Sequence, residues 1–269
     1  MPSEDPTIAI VGVGHVGRGM ASLFPSAILY DRYRNECSGT KEEVNGADVA
    51  IVCVPTPTET DGSANLNMVT EVADWLETPY IVIRSTVPPG TTESLRQRLE
   101  RPVVFWPEYS GEWTHMVPWE HSVRGWPFVL LGGRPEDTRP LVPWLASVLG
   151  PDRTYRQADA RTVELCKYME NCWLAGQVLF ANEFARIAEV MSIDYWELRE
   201  MWALDPRVSR HHTAVFSDSP GFGGSCLPKD VSAIVAASRA AGYEPQLLRA
   251  FMEFNHLLRT AAASPEENG

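Results

Sequence analysis

Apolar residues fall along the chain in two rhythms. Up to about residue 131 they come as short unbroken runs, at 7–12 (Thr-Ile-Ala-Ile-Val-Gly), 27–30, 49–54, 80–83, 103–105 and 128–131. Short runs rich in Val and Ile predict strands buried on both faces, as in a parallel sheet covered by helices. From Asp159 the rhythm changes: Val163, Cys166, Met169, Trp173, Leu174, Phe180, Phe184, Ile187 and Met191 return to related faces of one helix ending near Met191. At about 1.5 Å per residue that helix is on the order of 45 Å long, enough for a domain spine or a dimer seam. After a polar loop at 205–225, Pro228 suits the first turn of a helix running through Ile234 and Ala237 to Gly242. An amphipathic segment follows from Gln246 to Leu258. The expected architecture is α/β: a doubly wound parallel sheet over 1–156, then a helical domain over 157–260 built on the long helix. Residues 261–269 form a polar tail expected to be flexible.

The residues directly after the first run give the sheet a ligand. Gly12-Val13-Gly14-His15-Val16-Gly17 leads into helical spacing at Met20, Leu23 and Phe24, and the second run ends at Asp31. In such a Rossmann-like turn the first glycine permits the tight bend and the second admits a pyrophosphate. The third lets helix pack on strand. The anion would sit on the unsatisfied amides of the helix start. Asp31 is placed to accept bonds from an adenosine ribose and to repel a 2′-phosphate, favouring NAD, although Arg32 and Arg34 directly after it could offset that preference. Thr56, Thr86, Glu108 and Glu112 follow the third to fifth strands, beyond whose carboxyl ends ligands of open α/β sheets bind. Read singly, each is equally a turn or cap residue.

Charge and cysteine usage narrow the class. A net charge of −12 argues against nucleic-acid and polybasic membrane surfaces. The first residues are acidic rather than basic and no run is long enough to span a bilayer, so a cytoplasmic protein is expected. Five cysteines (37, 53, 166, 172 and 226) without paired spacing are neither a disulfide framework nor a metal site. One has a special setting. Cys226 lies in Gly221-Phe-Gly-Gly-Ser-Cys-Leu-Pro-Lys-Asp230, at or just before a helix N-terminus, with Lys229 close by. Dipole and lysine would stabilise a thiolate there, and Gly221, Gly223 and Gly224 leave room for a substrate against backbone amides. Glu164, Lys167 and Asn171 share a side of the long helix at i, i+3 and i+7. Alone, that pattern reads equally as a solvated face with an intrahelical ion pair.

Taken in order, these pieces resemble the UDP-glucose/GDP-mannose dehydrogenase family along nearly the whole chain. The matching stretches are Val-Gly-Val-Gly-His-Val-Gly at 11–17, Cys-Val-Pro-Thr-Pro at 53–57 with Asp61-Gly62, and Ser-Thr-Val-Pro-Pro-Gly-Thr-Thr at 85–92. They continue with Pro-Glu-Tyr at 107–109, the Glu164/Lys167/Asn171 set, and the long cysteine run at 221–230. The resemblance implies oxidation of the C6 alcohol of a nucleotide sugar to a carboxylate with two NAD and a thioester on Cys226. Lys167 and Asn171 would hold the oxyanion, Asp230 and Thr86 would order the water, and Glu112 would assist as acid/base. Glu108 and Gly223 would help shape the sugar site. Gly12, Gly14, His15, Val16, Gly17, Asp31, Thr56, Thr86, Glu112 and Lys229 match cofactor-contacting positions. Differences from the family pattern concentrate around the substrate. The Asp31–Cys53 connection is short, 106–112 reads Trp-Pro-Glu-Tyr-Ser-Gly-Glu, and the loop at 215–219 is altered. The family continues into a further α/β domain, so a short form without it is expected.

Three functions remain open from the sequence: a nucleotide-sugar 6-dehydrogenase, a two-electron NAD dehydrogenase of a smaller alcohol, and a non-catalytic NAD-binding protein. The long helix, with aromatics such as Trp173 and Trp196, is expected to form a homodimer.

Overall fold

A computed structural model describes residues 5–109 and 123–263. By its internal contacts the chain divides into two units, residues 1–59 with 64–167, and residues 60–63 with 168–269.

The first unit is built on a seven-stranded sheet. Strands β1 (Ile8–Val11), β2 (Ile28–Tyr30), β3 (Val49–Val52), β4 (Tyr80–Ile83), β5 (Val103–Phe105), β6 (Phe128–Gly132) and β7 (Thr154–Ala158) lie in the order β2-β1-β3-β4-β5-β6-β7. Alternate residues of the apolar runs enter different cores, as the two-residue period of a strand requires. Ile8, Ile10, Ile51, Val82 and Val104 pack with Met20 and Leu23 of α1 (His15–Leu23) and with Leu141, Trp144 and Leu145 of α6 (Leu141–Leu149). Ala9, Val11, Ala50, Val52, Ile81 and Ile83 pack with Val44 of α2 (Lys41–Asn45), Val69 and Val72 of α3 (Asn67–Trp75) and Leu95 of α4 (Thr91–Leu99). Full burial of an aliphatic side chain such as Ile51 contributes roughly 1.5–3 kcal/mol, so these two layers dominate the unit's stability.

Two features depart from the expected parallel sheet. Pairing is parallel from β2 to β5, but β6 runs antiparallel to β5, meeting it at Phe105 opposite Gly132. A buried apolar run carries no signature of direction. Strand β7, parallel to β6, is absent from the sequence reading because it is an edge strand whose Thr-Tyr-Arg-Gln-Ala residues are exposed or half-buried. A short helix, α5 (Pro135–Thr138), connects β6 to α6.

Helix α7 spans Ala160–Val190, close to the expected 159–191. From Tyr168 onward it belongs to the second unit, with α8 (Tyr195–Trp202), α9 (Leu227–Ala240) and α10 (Gln246–Ala263). Cys172, Ala175 and Leu179 of α7 bury against Phe222, Val231 of α9 and Leu258 of α10. Gly176 admits the Phe251 ring, which lies 2.9 Å from where a β-carbon would stand. Helix α10 continues to Ala263, three residues into the segment expected as tail, and 264–269 lie outside the described residues.

Candidate functional site

The glycine turn sits where β1 hands over to α1. Gly12 has φ +88°, a left-handed conformation that glycine adopts without strain. A β-carbon at Gly17 would stand 2.0 Å from the Gly12 carbonyl oxygen, so only glycine permits this closeness of helix and turn. At Gly14, by contrast, a β-carbon would meet nothing within 4 Å. That open side is where a ligand can reach the first-turn amides of α1, whose N-cap Gly14 provides no side-chain bond. Of the neighbouring positions, His15 is exposed and Val16 is half-buried against the core.

Asp31 holds this turn as well as facing the cleft. Its carboxylate accepts from the Val13 amide at 2.7 Å and from the Tyr33 amide at 2.9 Å. Asp31 lines a cavity of about 120 Å³ with Gly12, Tyr30, Pro55 and Trp75, suited to the flat end of a dinucleotide. Both following arginines are engaged by acids: Arg32 by Glu71, and Arg34 by Glu36 at 3.2 Å and Asp31 at 3.8 Å. The residues present therefore fit NAD, with the Asp31 carboxylate at the cavity and both neighbouring guanidinium groups paired with acids.

Behind the cleft the loops after β3 and β4 are strapped together. The Thr56 hydroxyl donates to the Thr86 carbonyl at 2.9 Å, and Ser85 donates to the Val54 carbonyl at 2.6 Å. Glu108 is buried and paired with Arg84, which also donates to the Trp106 and Pro107 carbonyls and lies 4.3 Å from the Trp106 ring centroid. Sequence reasoning missed Arg84. Its signal was an arginine set directly against the buried run Tyr80–Ile83. Next to Glu108, Tyr109 presents its ring to the Lys167 ammonium at 4.5 Å. Glu112 lies outside the described residues.

Glu164, Lys167 and Asn171 are buried, so the solvated-face reading does not hold. Glu164 accepts from the Gly90 and Thr92 amides at 2.5 and 2.8 Å, capping the start of α4. Burial pushes its carboxyl above the usual range, and the bonds from Thr92 and Gly90 partly oppose this. The first member of the triad is thus a cap for α4, while Lys167 meets the Tyr109 ring and Asn171 donates to Asp230.

In the second unit, Cys226 is the N-cap of α9 and is exposed, with Pro228 in the first turn and the Ser225 hydroxyl 3.5 Å from its sulfur. One turn on, Asp230 is almost fully buried; Asn171 donates to one of its carboxylate oxygens and Lys229 to the other. The amide, the ammonium and the carboxylate thus form one cluster. Gly221 and Gly224 both have φ +76°, and the loop is clamped from two helices. Asn182 accepts from the Gly221 amide at 3.1 Å, while Asn255 accepts from the Phe222 amide at 2.7 Å and donates to its carbonyl at 3.0 Å. These two asparagines gave no sequence signal, being isolated polar residues in long helices. The space beside Gly223 is taken by the tip of Arg259, 2.9 Å from a notional β-carbon. Ser232 donates to the Gly62 carbonyl at 2.9 Å, fixing segment 60–63 to α9.

Among the described residues no helix is long and apolar enough to cross a membrane. Residues 27–109 match the NAD binding domain of the UDP-glucose/GDP-mannose dehydrogenase family, and 161–257 match its central domain. A UDP-glucose 6-dehydrogenase of Haloferax volcanii is 30% identical over 257 residues, covering 85% of this chain and 57% of that protein. A UDP-N-acetyl-D-mannosamine dehydrogenase of Methanocaldococcus jannaschii is 31% identical over 221 residues, covering 78% of this chain and 48% of its own. The chain therefore spans about half the length of the curated relatives it matches. The solved structure of a UDP-glucose dehydrogenase from Pyrobaculum islandicum superposes with a TM-score of 0.78 at 25% identity, covering 94% of this chain and 68% of that one. With the NAD-binding and central domains both matched in order, this chain belongs to the UDP-glucose/GDP-mannose dehydrogenase family.

Proposed function

We propose that this protein is an NAD-dependent nucleotide-sugar 6-dehydrogenase that oxidises a C6 hydroxyl, as in UDP-glucose, to the carboxylate through Cys226. The observation that carries the reading is Cys226 at the start of α9, one turn from the Asn171–Asp230–Lys229 cluster. Bound NAD supplies the hydride acceptor for each two-electron step. Gly12, Gly14, His15, Val16 and Gly17 would hold its pyrophosphate and Asp31 its ribose, and by the family resemblance Thr56, Thr86, Glu112 and Lys229 would complete the cofactor's contacts.

The chain's own part begins after the first oxidation. The Cys226 sulfur attacks the C6 aldehyde, an S–C bond forms, and the carbonyl electron pair moves onto oxygen. Lys167 and Asn171 hold that oxyanion; donors placed in this way contribute about 10²–10³ in rate each. Loss of the second hydride from C6 leaves a thioester. Water, ordered by Asp230 and Thr86 with Glu112 assisting as acid/base, attacks C6; the S–C bond breaks and the thiolate departs. By the family resemblance Glu108 would help shape the sugar pocket, whereas beside Gly223 the tip of Arg259 takes the space expected for a substrate. The unsatisfied amides at the start of α9 favour the thiolate both as nucleophile and as leaving group.

A nucleotide-sugar panel followed by NADH absorbance tests the proposal. Two NADH per sugar nucleotide, abolished in Cys226→Ala, is the expected outcome. No turnover with UDP-glucose, GDP-mannose and their N-acetylated counterparts would sink it. One NADH per substrate with indifference to Cys226 would instead identify a two-electron dehydrogenase.

A second copy of the chain is the proposed partner. Met169, Trp173, Phe180, Phe184 and Ile187 of α7, with Met191 directly after it, expose apolar surface at helical spacing, and Phe180 packs on Trp202 of α8 at 5.6 Å. Contiguous apolar surface of this kind marks an interface.

A further inference from the structure

We propose that the first unit carries a second ligand site, for a phosphorylated small molecule, on the edge of the sheet opposite the glycine turn. Gly12 follows the carboxyl end of β1, whereas this cleft is lined by Val103 at the amino end of the parallel strand β5. Its volume is about 770 Å³, within the range of small-molecule sites and well above the cavity beside Asp31.

The lining has two characters. Val103, Pro135, Ala158 and Ala160 give the lining apolar members, and Arg96, Arg134, Arg139 and Arg161 line the same cleft. In a chain of net charge −12, four arginines at one cleft run against the overall field. Two of them are committed: Arg96 to Asp137 at 3.0 Å and Arg161 to Glu93 at 2.7 Å. The other two are less engaged. Among the described residues Arg134 has only Glu136 at 3.9 Å, and Arg139 has no ion-pair partner. The carboxylates on the rim are occupied, Glu93 by Arg161, and Asp159 by the Thr162 amide and hydroxyl at 2.9 and 2.6 Å. Arg139, with no ion pair among the described residues, and Arg134, held only loosely by Glu136, give this cleft guanidinium forks that suit a phosphate, which guanidinium binds bidentately. The apolar members of the lining would receive an uncharged body attached to it.

This second site is independent of the chemistry proposed at Cys226. Isothermal titration of inorganic pyrophosphate and of ADP, with NAD saturating, is compared between the unaltered protein and Arg134→Ala/Arg139→Ala. Both arginines are exposed, so the double variant keeps the fold. Saturable binding that weakens about tenfold or more in the double variant, with NAD affinity unchanged, is expected. Absence of binding in the unaltered protein, equal binding in both proteins, or parallel loss of NAD and ADP binding would each overturn the proposal. Failure of NAD itself to bind counts against the dehydrogenase reading alone.

Discussion

Burial pushes the thiols of Cys53 and Cys172 up to about 12, so at pH 8 both remain protonated as well as inaccessible. Cys53 packs between the sheet and α1, and Cys172 faces the core of the second unit. Cys226 is instead exposed and stands at a helix start, where an anion is favoured. Brief treatment of the native protein with iodoacetamide at pH 8, read by peptide mass spectrometry, should therefore modify Cys226 while leaving Cys53 and Cys172 intact. Exposed Cys166 is the internal control for accessibility without a helix start. Modification of Cys53 or Cys172 as fast as Cys226 would contradict the burial argument; Cys226 slower than Cys166 would contradict the activation argument.

At the scale of elements, one side chain ties the amino ends of two neighbouring strands. Asp48, just before β3, accepts from the Thr7 amide and hydroxyl, both at 2.8 Å, just before β1. These bonds, backbone first, hold its carboxyl below the usual range. A carboxyl lowered in the folded state stabilises fully above its unfolded value of about 3.9 and loses that contribution as pH falls through the lower folded value. Asp48→Asn should accordingly cost about 1 kcal/mol at pH 6, and the difference from the unaltered protein should shrink towards pH 2.5. Denaturant midpoints at the two pH values check it, and a difference that grows on acidification would reverse the sign. The clip also shows what the sequence makes legible. Strands β1, β3 and β4 are buried at every position, so composition alone announces them. Strand β7 owes its conformation to backbone pairing with β6, and its polar residues have no period to detect. The site divides in the same way. Gly12, Gly17 and Asp31 are readable because a turn, a close approach and a ribose demand particular residues at fixed offsets. Glu164 capping α4 from more than 70 positions away, Arg84 gripping Glu108, and Asn255 clamping the loop before Cys226 are meetings of distant segments. No local pattern encodes such partners.

For the whole molecule the open question is what covers the outer face of α7. Met169 and Trp173 are 73% and 67% exposed, and Phe184 and Met191 continue the same stripe for more than five turns. Isolated apolar residues on a surface need no explanation, but a stripe of this length in water calls for a partner. A twofold dimer meets the need economically, since each residue near the axis appears twice and the face is complementary to itself. The same symmetry sharpens the test. Trp173→Glu/Phe184→Glu places four carboxylates in one apolar seam while altering only exposed positions, so each protomer should fold unchanged. Sedimentation at about 10 μM should then read a two-copy mass for the unaltered chain and a single-copy mass for the variant, with identical far-ultraviolet circular dichroism. A two-copy mass that survives both substitutions would move the interface off α7. A single-copy mass for the unaltered chain would remove the dimer, and the stripe would then need an occupant other than a second copy.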